Sequence, residues 1–478
     1  MTTSNASSAR RARTLRSCSS TFAALGAAAL TIGLPGCALT PHGLGAERAS
    51  MAAAGAAFRA GPGRAELPVP SGGDDWRTLL RRALVANGDV RAAWFEWKAA
   101  VEHVRGASGW PNSNISLGYS YLFSDENVKS FNNSTFNAGF DSMENLSYPG
   151  KTMASGRVAL ADARAAGERF RAAKFAVQRR VLDAWLDLAM AAENARLAGE
   201  SAALAEVGSD AADAALGAGG EQGDALGARI SSARVDDAAA VARAQVAEAK
   251  ATLAALTATD APGSIAAPTR LPLPRPLPTD PAVLARAVDN GPEVRGLEHD
   301  RRARGDELDL AELQWVPDIN PYAAATGTIE QAVGAIVVLP TAIAEIQSGI
   351  AVAKAMRRAA AARLGQARRD KLGELCAGLL AASDADRARQ LLEDRVLPAA
   401  VSAASAAESG YAAGRGSLTE LVEARTLLVD TRKEIAAAAI EREKQLAAIE
   451  EILGADLETF TDVGVIRVAA ANPKENPR

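Results

Sequence analysis

The sequence of 478 residues is poor in aromatic, cysteine and histidine side chains. Aromatic residues make up 4% of the chain, and there are only three cysteines and three histidines. These numbers are too small for a disulfide scaffold or a zinc ribbon, so we expect no metal site and no cofactor. No apolar run reaches the roughly 18 residues that a membrane-spanning helix needs, which excludes a multispan helical transporter.

The sequence also lacks an excess of positive charge. It has 53 Lys and Arg residues against 57 Asp and Glu residues, for a net charge of -4. This balance gives no basic surface to attract a nucleic-acid partner. No phosphate-binding loop, dinucleotide fingerprint or catalytic constellation is found, so the chain is not expected to be an enzyme. Alanine, in contrast, fills 110 positions, which is typical of long helices that approach one another closely.

The N-terminus has the pattern of a processing signal. Residues 1–36 combine an arginine-rich start with a short apolar core, and they end in Leu34-Pro35-Gly36, directly before Cys37. This end resembles a bacterial lipobox, which implies that Cys37 carries a covalent lipid and, with Ala38 after it, that the protein is sorted to the outer membrane. The alternative is an ordinary secretory signal with an incidental cysteine. Residues 37–73 are rich in Ala, Gly and Pro and are predicted to be a flexible tether.

The rest of the chain consists of two similar repeats. Seven prolines within 261–281 predict an extended connector between a first repeat, 74–260, and a second repeat, 282–460. Each repeat begins with a similar segment, at 83–91 and at 286–295. The last residues, 461–478, are predicted to be a tail.

Each repeat is predicted to contain a β-hairpin, at 113–143 and at 321–339. Apolar or aromatic residues alternate there with polar or small ones, which is the period of a strand. Four strands cannot close a barrel, and open sheet edges are not tolerated in lipid. If the strands lie in a membrane, several chains must share one barrel.

Very long helical stretches follow both hairpins. They favour a helical bundle or barrel of long antiparallel hairpins, with a plain amphipathic core helix as the alternative for any single helix. Glycine-rich turns near 217–224 and 412–417 are predicted to be the tips of these hairpins, because glycine permits the reversal. Cys376 lies on an apolar helix face and is expected to be a small buried hydrophobic residue.

In this order, the segments resemble the TolC-like outer membrane factor family. The motifs are the paired segments at 83–91 and 286–295, the Trp–Pro entries to the hairpins (Trp110-Pro111 and Trp315-Val316-Pro317), Val396-Leu397-Pro398-Ala399-Ala400, and the stretch from Tyr411 to Arg425. The resemblance implies a mainly α fold with a small β part: a homotrimer whose four strands per chain form a 12-stranded barrel in outer-membrane lipid, continued by a periplasmic α-barrel. The implied function is the exit duct of a tripartite efflux or secretion system, fed by an inner-membrane pump through a periplasmic adaptor.

The resemblance also implies site residues at the tips. Adaptor docking is expected at Gly219, Gly220 and Gly223 in the first tip, and at Gly414, Arg415, Gly416 and Ser417 in the second. Candidate gate acids are Asp224, Glu420 and Glu423. Ser417 and Glu420 also form a capping-box pattern, in which Glu420 bonds the backbone at the helix start without lining a pore.

Two other interpretations stay open at this stage. A lipid-tethered periplasmic adaptor would have a single helical hairpin, whereas this chain has two hairpins and two strand pairs. A structural coiled coil of the cell envelope would have no pore. The transported substrate, whether a drug, a metal or another organic molecule, does not follow from the sequence.

Overall fold

The computed structural model describes residues 39–59, 76–109, 115–121, 134–140, 147–219, 221–271, 274–276, 280–326 and 330–457. Several sequence predictions fall outside these ranges. They are the signal peptide, Cys37, the Trp110-Pro111 entry, Gly220 and the tail at 461–478.

The described chain is mainly helical with four short strands. Two small helices come first and are followed by pairs of helices and strands in each half of the chain. The helices are α1 Leu44–Ala54, α2 Ala56–Arg59, α3 Trp76–Ala86, α4 Gly88–Ala107, α5 Pro149–Gly217, α6 Gln222–Thr257, α7 Pro281–Val288, α8 Pro292–Glu312, α9 Ile343–Leu391, α10 Leu397–Ala412 and α11 Leu418–Leu453; the strands are β1 Ile115–Tyr121, β2 Ser134–Phe140, β3 Asp318–Thr326 and β4 Glu330–Val338.

The four strands form one antiparallel sheet in the order β1-β2-β3-β4. Strands β1 and β2 pair along their whole length, from Ile115 opposite Phe140 to Tyr121 opposite Ser134. Strands β3 and β4 pair in the same way, and Phe136 opposite Ala325 joins the two hairpins. In the described sheet, β1 and β4 therefore each present one unpaired edge. The prediction of four strands per chain is confirmed.

In the long helices, proline occurs only in the first turn, where it does not interrupt the helix. Helix α5 runs for 69 residues, and proline occurs only at its first position, Pro149. Helices α9 and α10 are joined by a π-helical turn, Leu392–Val396, which ends two residues before Pro398. Because Pro398 has no N–H for the regular helical bond and crowds the carbonyl four residues earlier, a wider turn at this place lets the helix continue. None of the helices in the described ranges has the length and hydrophobicity that a membrane crossing requires.

The chain divides into two compact units, each built from discontinuous segments. The first unit includes residues 100–161 and 302–357 and contains the sheet. In this unit the amine of Lys151, near the start of α5, lies 2.9 Å from Oδ1 of Asp318, the first residue of β3. The same oxygen accepts a hydrogen bond from the backbone N–H of Tyr148. These contacts fix the start of α5 to the start of β3.

The second unit includes residues 47–99, 162–301 and 358–457. Its described core joins α7 and α8 to the end of α11 through Leu284, Val294, Leu446, Ile449 and Leu453, which are all about 1% exposed or less. Val294 belongs to the second of the two similar segments noted in the sequence. Its counterpart in the first segment, Val90, is buried to the same degree.

The prediction of a flexible tether over 37–73 is wrong for residues 44–59, which form helices α1 and α2. In the second unit, the indole N–H of Trp94 donates to the carbonyl oxygen of Met51, and that of Trp97 donates to Glu47. The Phe58 ring lies 5.7 Å from the Trp94 ring. Apolar and hydrogen-bonding contacts of this kind offset the ordering of an Ala- and Gly-rich segment.

The expectation for Cys376 is also wrong, because its side chain is exposed on α9. Leucines lie on both its buried and its exposed sides, since Leu375 is 1% exposed but Leu372 is 41% and Leu380 is 72% exposed. Sequence periodicity therefore does not separate a buried face from an exposed one at this position. Within the connector, the described residues form one short 3-10 turn, Pro262–Ser264.

Candidate functional site: the tips of the helical hairpins

The first tip is the turn between α5 and α6. Helix α5 ends at Gly217, and α6 begins at Gln222. Gly219 has a φ of +97°, a backbone conformation that residues with a Cβ rarely adopt. The backbone of Gly223 lies in the first turn of α6. The structure thus brings the described glycines of the first predicted docking segment to one helix-to-helix reversal.

The second tip is the turn between α10 and α11. Gly414 has a φ of +68°, and the N–H groups of Arg415 and Gly416 both donate to the carbonyl oxygen of Gly410, at 2.9 and 3.0 Å. These bonds satisfy a carbonyl group at the C-terminus of α10, which has no partner within the helix. All four residues predicted for this tip lie between the end of α10 and the start of α11.

The capping box predicted from the sequence is present at the start of α11. The Ser417 hydroxyl accepts from the N–H of Glu420 at 3.1 Å, and the Glu420 carboxylate accepts from the N–H of Ser417 at 3.1 Å. Glu420 therefore caps the helix. Glu423 lies one turn further along and is exposed, with no part in the cap. Asp224 lies in the first turn of α6, and its side chain is outside the described part of the structure.

Each hairpin also has an ion pair between its two helices, which sequence reasoning missed. Arg229 of α6 binds Asp213 of α5 through two nitrogens, at 3.0 Å each. Arg425 of α11 binds Glu408 of α10 at 2.7 Å. Both arginines stand seven residues after the first residue of their helix, and both acids stand four residues before the last residue of theirs. Comparing the two repeats position by position is the sequence signal that reveals these pairs.

A small cavity of about 160 Å³ separates the two hairpins near these pairs. Its walls are mostly apolar and come from all four helices of the hairpins. The apolar residues of α5 and α11 include Leu204, Val207, Leu421 and Val422. Several of these side chains are exposed, Val207 to 67%. The described residues contain no group of His, Cys, Asp and Glu arranged to hold a metal ion.

Residues 283–455 match a family model described as outer membrane efflux protein. This match lies in the second half of the chain, which is thus similar to that family. It confirms the resemblance drawn from the sequence motifs. No curated protein gives a significant sequence match.

Several solved structures have the same fold, and three of them are described here. CusC is 16% identical, with a TM-score of 0.67, and the match covers 82% of this chain and 97% of that one. VceC from Vibrio cholerae is 16% identical, with a TM-score of 0.66 and coverage of 80% and 96%. The open state of the MtrE outer membrane channel of Neisseria gonorrhoeae is 20% identical, with a TM-score of 0.62 and coverage of 80% and 89%. At this identity the likeness shows the fold, and it confirms the predicted fold class of long helical hairpins with a small sheet.

Proposed function

We propose that this protein is the outer-membrane exit duct of a tripartite efflux or secretion system. The observation that carries the proposal is the four-stranded sheet, whose outer strands each leave one edge unpaired, on a chain whose long helical hairpins have the fold of outer membrane channels. Unpaired strand edges are not tolerated in lipid. The outer strands of one copy must therefore pair with those of neighbouring copies in a shared barrel. Three copies would form a 12-stranded barrel, and their helices would form a periplasmic tunnel.

The remaining parts follow from this arrangement. Cys37 would carry the lipid that anchors the mature chain in the outer membrane. The two tips, from Gly219 to Gly223 and from Gly414 to Ser417, would receive a periplasmic adaptor, which joins the duct to an inner-membrane pump. The duct itself would be passive, because the pump supplies the energy.

The proposal is tested with the mature protein in detergent and in planar bilayers. A duct migrates as a trimer that dissociates on heating and conducts ions. A lipid-tethered adaptor or a pore-free coiled-coil protein gives no conductance at any protein concentration. Stable monomers without conductance would overturn the proposal.

Glu423 is the better gate candidate of the two acids on α11, because Glu420 already caps the helix. A threefold assembly would bring copies of Glu423 near one axis, where like charges attract cations. We therefore expect Glu423→Gln to lower cation selectivity or change single-channel conductance. Glu434→Gln, at an exposed position further along α11, is the matched control. Unchanged selectivity and conductance in Glu423→Gln would show that Glu423 does not line the constriction.

A further inference from the structure

A cleft of about 450 Å³ lies in the second compact unit, away from the hairpin tips. Helix α3 forms one wall. The other walls come from α5, from the connector, from the end of α11 and from the chain just after it. The proposed duct assigns no role to this cleft.

The wall that α3 contributes is partly apolar and partly basic. Trp76 and Leu80 lie one turn apart on it and are half-buried. Arg77 and Arg81 lie beside them and are exposed, and the Arg77 guanidinium lies 5.2 Å from the centre of the Trp76 ring. Arg81 Nη2 donates to Thr78 at 2.9 Å, which uses one of the several N–H groups that a guanidinium carries. This wall therefore suits a ligand that combines an apolar group with a carboxylate.

The last residues that the structure describes bring the chain to the same cleft. Asp456 lines it, and Leu457 is 4% exposed. The N–H of Leu457 donates to Glu450 Oε1 at 3.1 Å, and Arg275 Nη1 donates to the same oxygen at 2.7 Å. These bonds hold the backbone of Leu457 beside the cleft floor. Three extended residues span about 10 Å, so the residues directly after Leu457 are long enough to reach the α3 wall.

The sequence after Leu457 matches the α3 wall in polarity and charge. Phe460 is the only aromatic residue within 458–478, and two acids, Glu458 and Asp462, stand two positions before and after it. In extended backbone, alternate side chains lie on the same side of the chain. An extended segment would therefore present an aromatic ring between two carboxylates on one side.

We propose that residues 458–462 of this chain occupy the cleft in an extended conformation. The Phe460 ring packs against Trp76 and Leu80, where its burial removes apolar surface from water. One of the two flanking carboxylates binds Arg81, because a guanidinium forms strong hydrogen bonds with a carboxylate. The segment thus straps the end of α11 to α3. The inference does not depend on the proposed duct.

The first test is disulfide trapping in the full-length protein with Cys376→Ser as background. Leu80→Cys combined with Phe460→Cys should form a disulfide within one chain on mild oxidation. Leu80→Cys combined with Ala470→Cys is the matched control and should form far less, because a disulfide needs its Cα atoms within about 7 Å of each other. Mass spectrometry of unreduced peptides identifies the bond, and gel mobility separates bonds within a chain from bonds between chains.

The second test measures how fast a cysteine in the cleft reacts with a water-soluble methanethiosulfonate. In the single variant Leu80→Cys, adding Phe460→Ala should raise this rate by about ten-fold, a factor that burial of one phenylalanine side chain supports. Adding Val468→Ala instead should leave the rate unchanged. If circular dichroism shows that Leu80→Cys loses helix content, Arg81→Cys, at an exposed position on the same wall, replaces it in both tests.

Three results would overturn the inference. The first is an equal disulfide yield for the partners at positions 460 and 470. The second is an unchanged reaction rate in Phe460→Ala, which is also the result expected if residues 60–75, which lead into α3, fill the cleft instead. The third is a disulfide found only between two chains, which would mean that the segment of a second copy occupies the cleft.

Discussion

Burial raises the pKa of the Glu450 carboxyl above its ordinary value of 4.5, and the opposing attraction of Arg275 does not cancel this effect. A carboxyl group with a raised pKa in the folded state takes up a proton more readily there than in the unfolded chain. Its contribution to stability is therefore fully present below pH 4.5 and is lost as the pH rises through the folded-state pKa. Above that value, the ionised group lowers stability.

We therefore expect Glu450→Gln, which mimics the protonated form, to raise the thermal midpoint at pH 7. The advantage should disappear as the pH falls below 4.5, where Glu450 is protonated in both states. Arg275 keeps Glu443 as an ionic partner in the substituted protein. The measurement is thermal unfolding followed by far-ultraviolet circular dichroism across this pH range.

The control for this prediction is Glu441→Gln, an exposed residue on the same helix. It should leave the pH dependence unchanged. A lower midpoint for Glu450→Gln at pH 7 would mean that pairing with Arg275 outweighs the penalty of burial, and the prediction would then be wrong.

The sequence predicts single residues well when their partners are near in the chain. The capping box of Ser417 and Glu420 was predictable because the two residues are three positions apart and the pattern has a known mechanism. The contacts of Arg275 were not predictable, because Glu443 and Glu450 lie 168 and 175 residues away. Nothing in a proline-rich connector indicates which of many distant carboxylates its arginine will meet.

At the level of elements, the glycines of the turns and those of the helices should respond oppositely to substitution. Gly414 has a φ of +68°, so Gly414→Ala should lower stability by about 1–2 kcal/mol, although a Cβ there meets no atom within 4 Å. Gly227 lies inside α6 with equally open surroundings, and Gly227→Ala should raise stability by about 1 kcal/mol. Denaturant unfolding of the two variants measures both changes. Shifts in the same direction would contradict the prediction.

Helices α1 and α2 should depend on Phe58, which is 8% exposed and also lies 6.3 Å from the Phe170 ring. Phe58→Ala should lower stability by about 3 kcal/mol, the usual loss for a buried aromatic ring. It should also speed trypsin cleavage at Arg59. Ile230→Ala, at a site that is 56% exposed, serves as the control and should change neither quantity. Equal cleavage rates for the two variants would show that Phe58 does not hold this segment.

The Ala- and Gly-rich composition of 37–73 favoured a tether over helices α1 and α2. Phe58 of α2 is 8% exposed, and its ring lies near the rings of Trp94 and Phe170. The indole groups of Trp94 and Trp97 donate to Met51 and Glu47 of α1. These aromatic partners are distant in sequence, and this is why composition alone was misleading.

For the whole molecule, we predict that Cys37 carries a covalent lipid in addition to the proposed barrel. Cys37→Ser should abolish the mass increase that this lipid gives. Cys376→Ser is the matched control, since Cys376 is exposed on α9 and its substitution should leave the lipid in place. The measurement is intact-mass spectrometry of the purified proteins. Identical masses for Cys37→Ser and the unsubstituted protein, apart from the substitution itself, would show that Cys37 carries no lipid.

The architecture was more predictable than the contacts. Two strand pairs and two sets of long helices followed from the repeated pattern. The part of the chain that the structure describes has four strands, and its helical hairpins turn at the glycine-rich segments. The ends of β3 and β4 were less predictable: β3 begins at Asp318, three residues before the predicted start, because pairing with β4 extends a strand beyond its alternating apolar core. Tertiary pairing, rather than local pattern, sets such boundaries.

The matching arginine–acid pairs, Arg229 with Asp213 and Arg425 with Glu408, give the duplicated chain a form of redundancy. Each copy braces both of its hairpins in the same way, so losing one arginine leaves the other brace intact. In the proposed ring of identical chains, such a loss would affect every second hairpin and leave its neighbours unchanged. The duplication would therefore let one hairpin vary in sequence while its twin keeps the same contact.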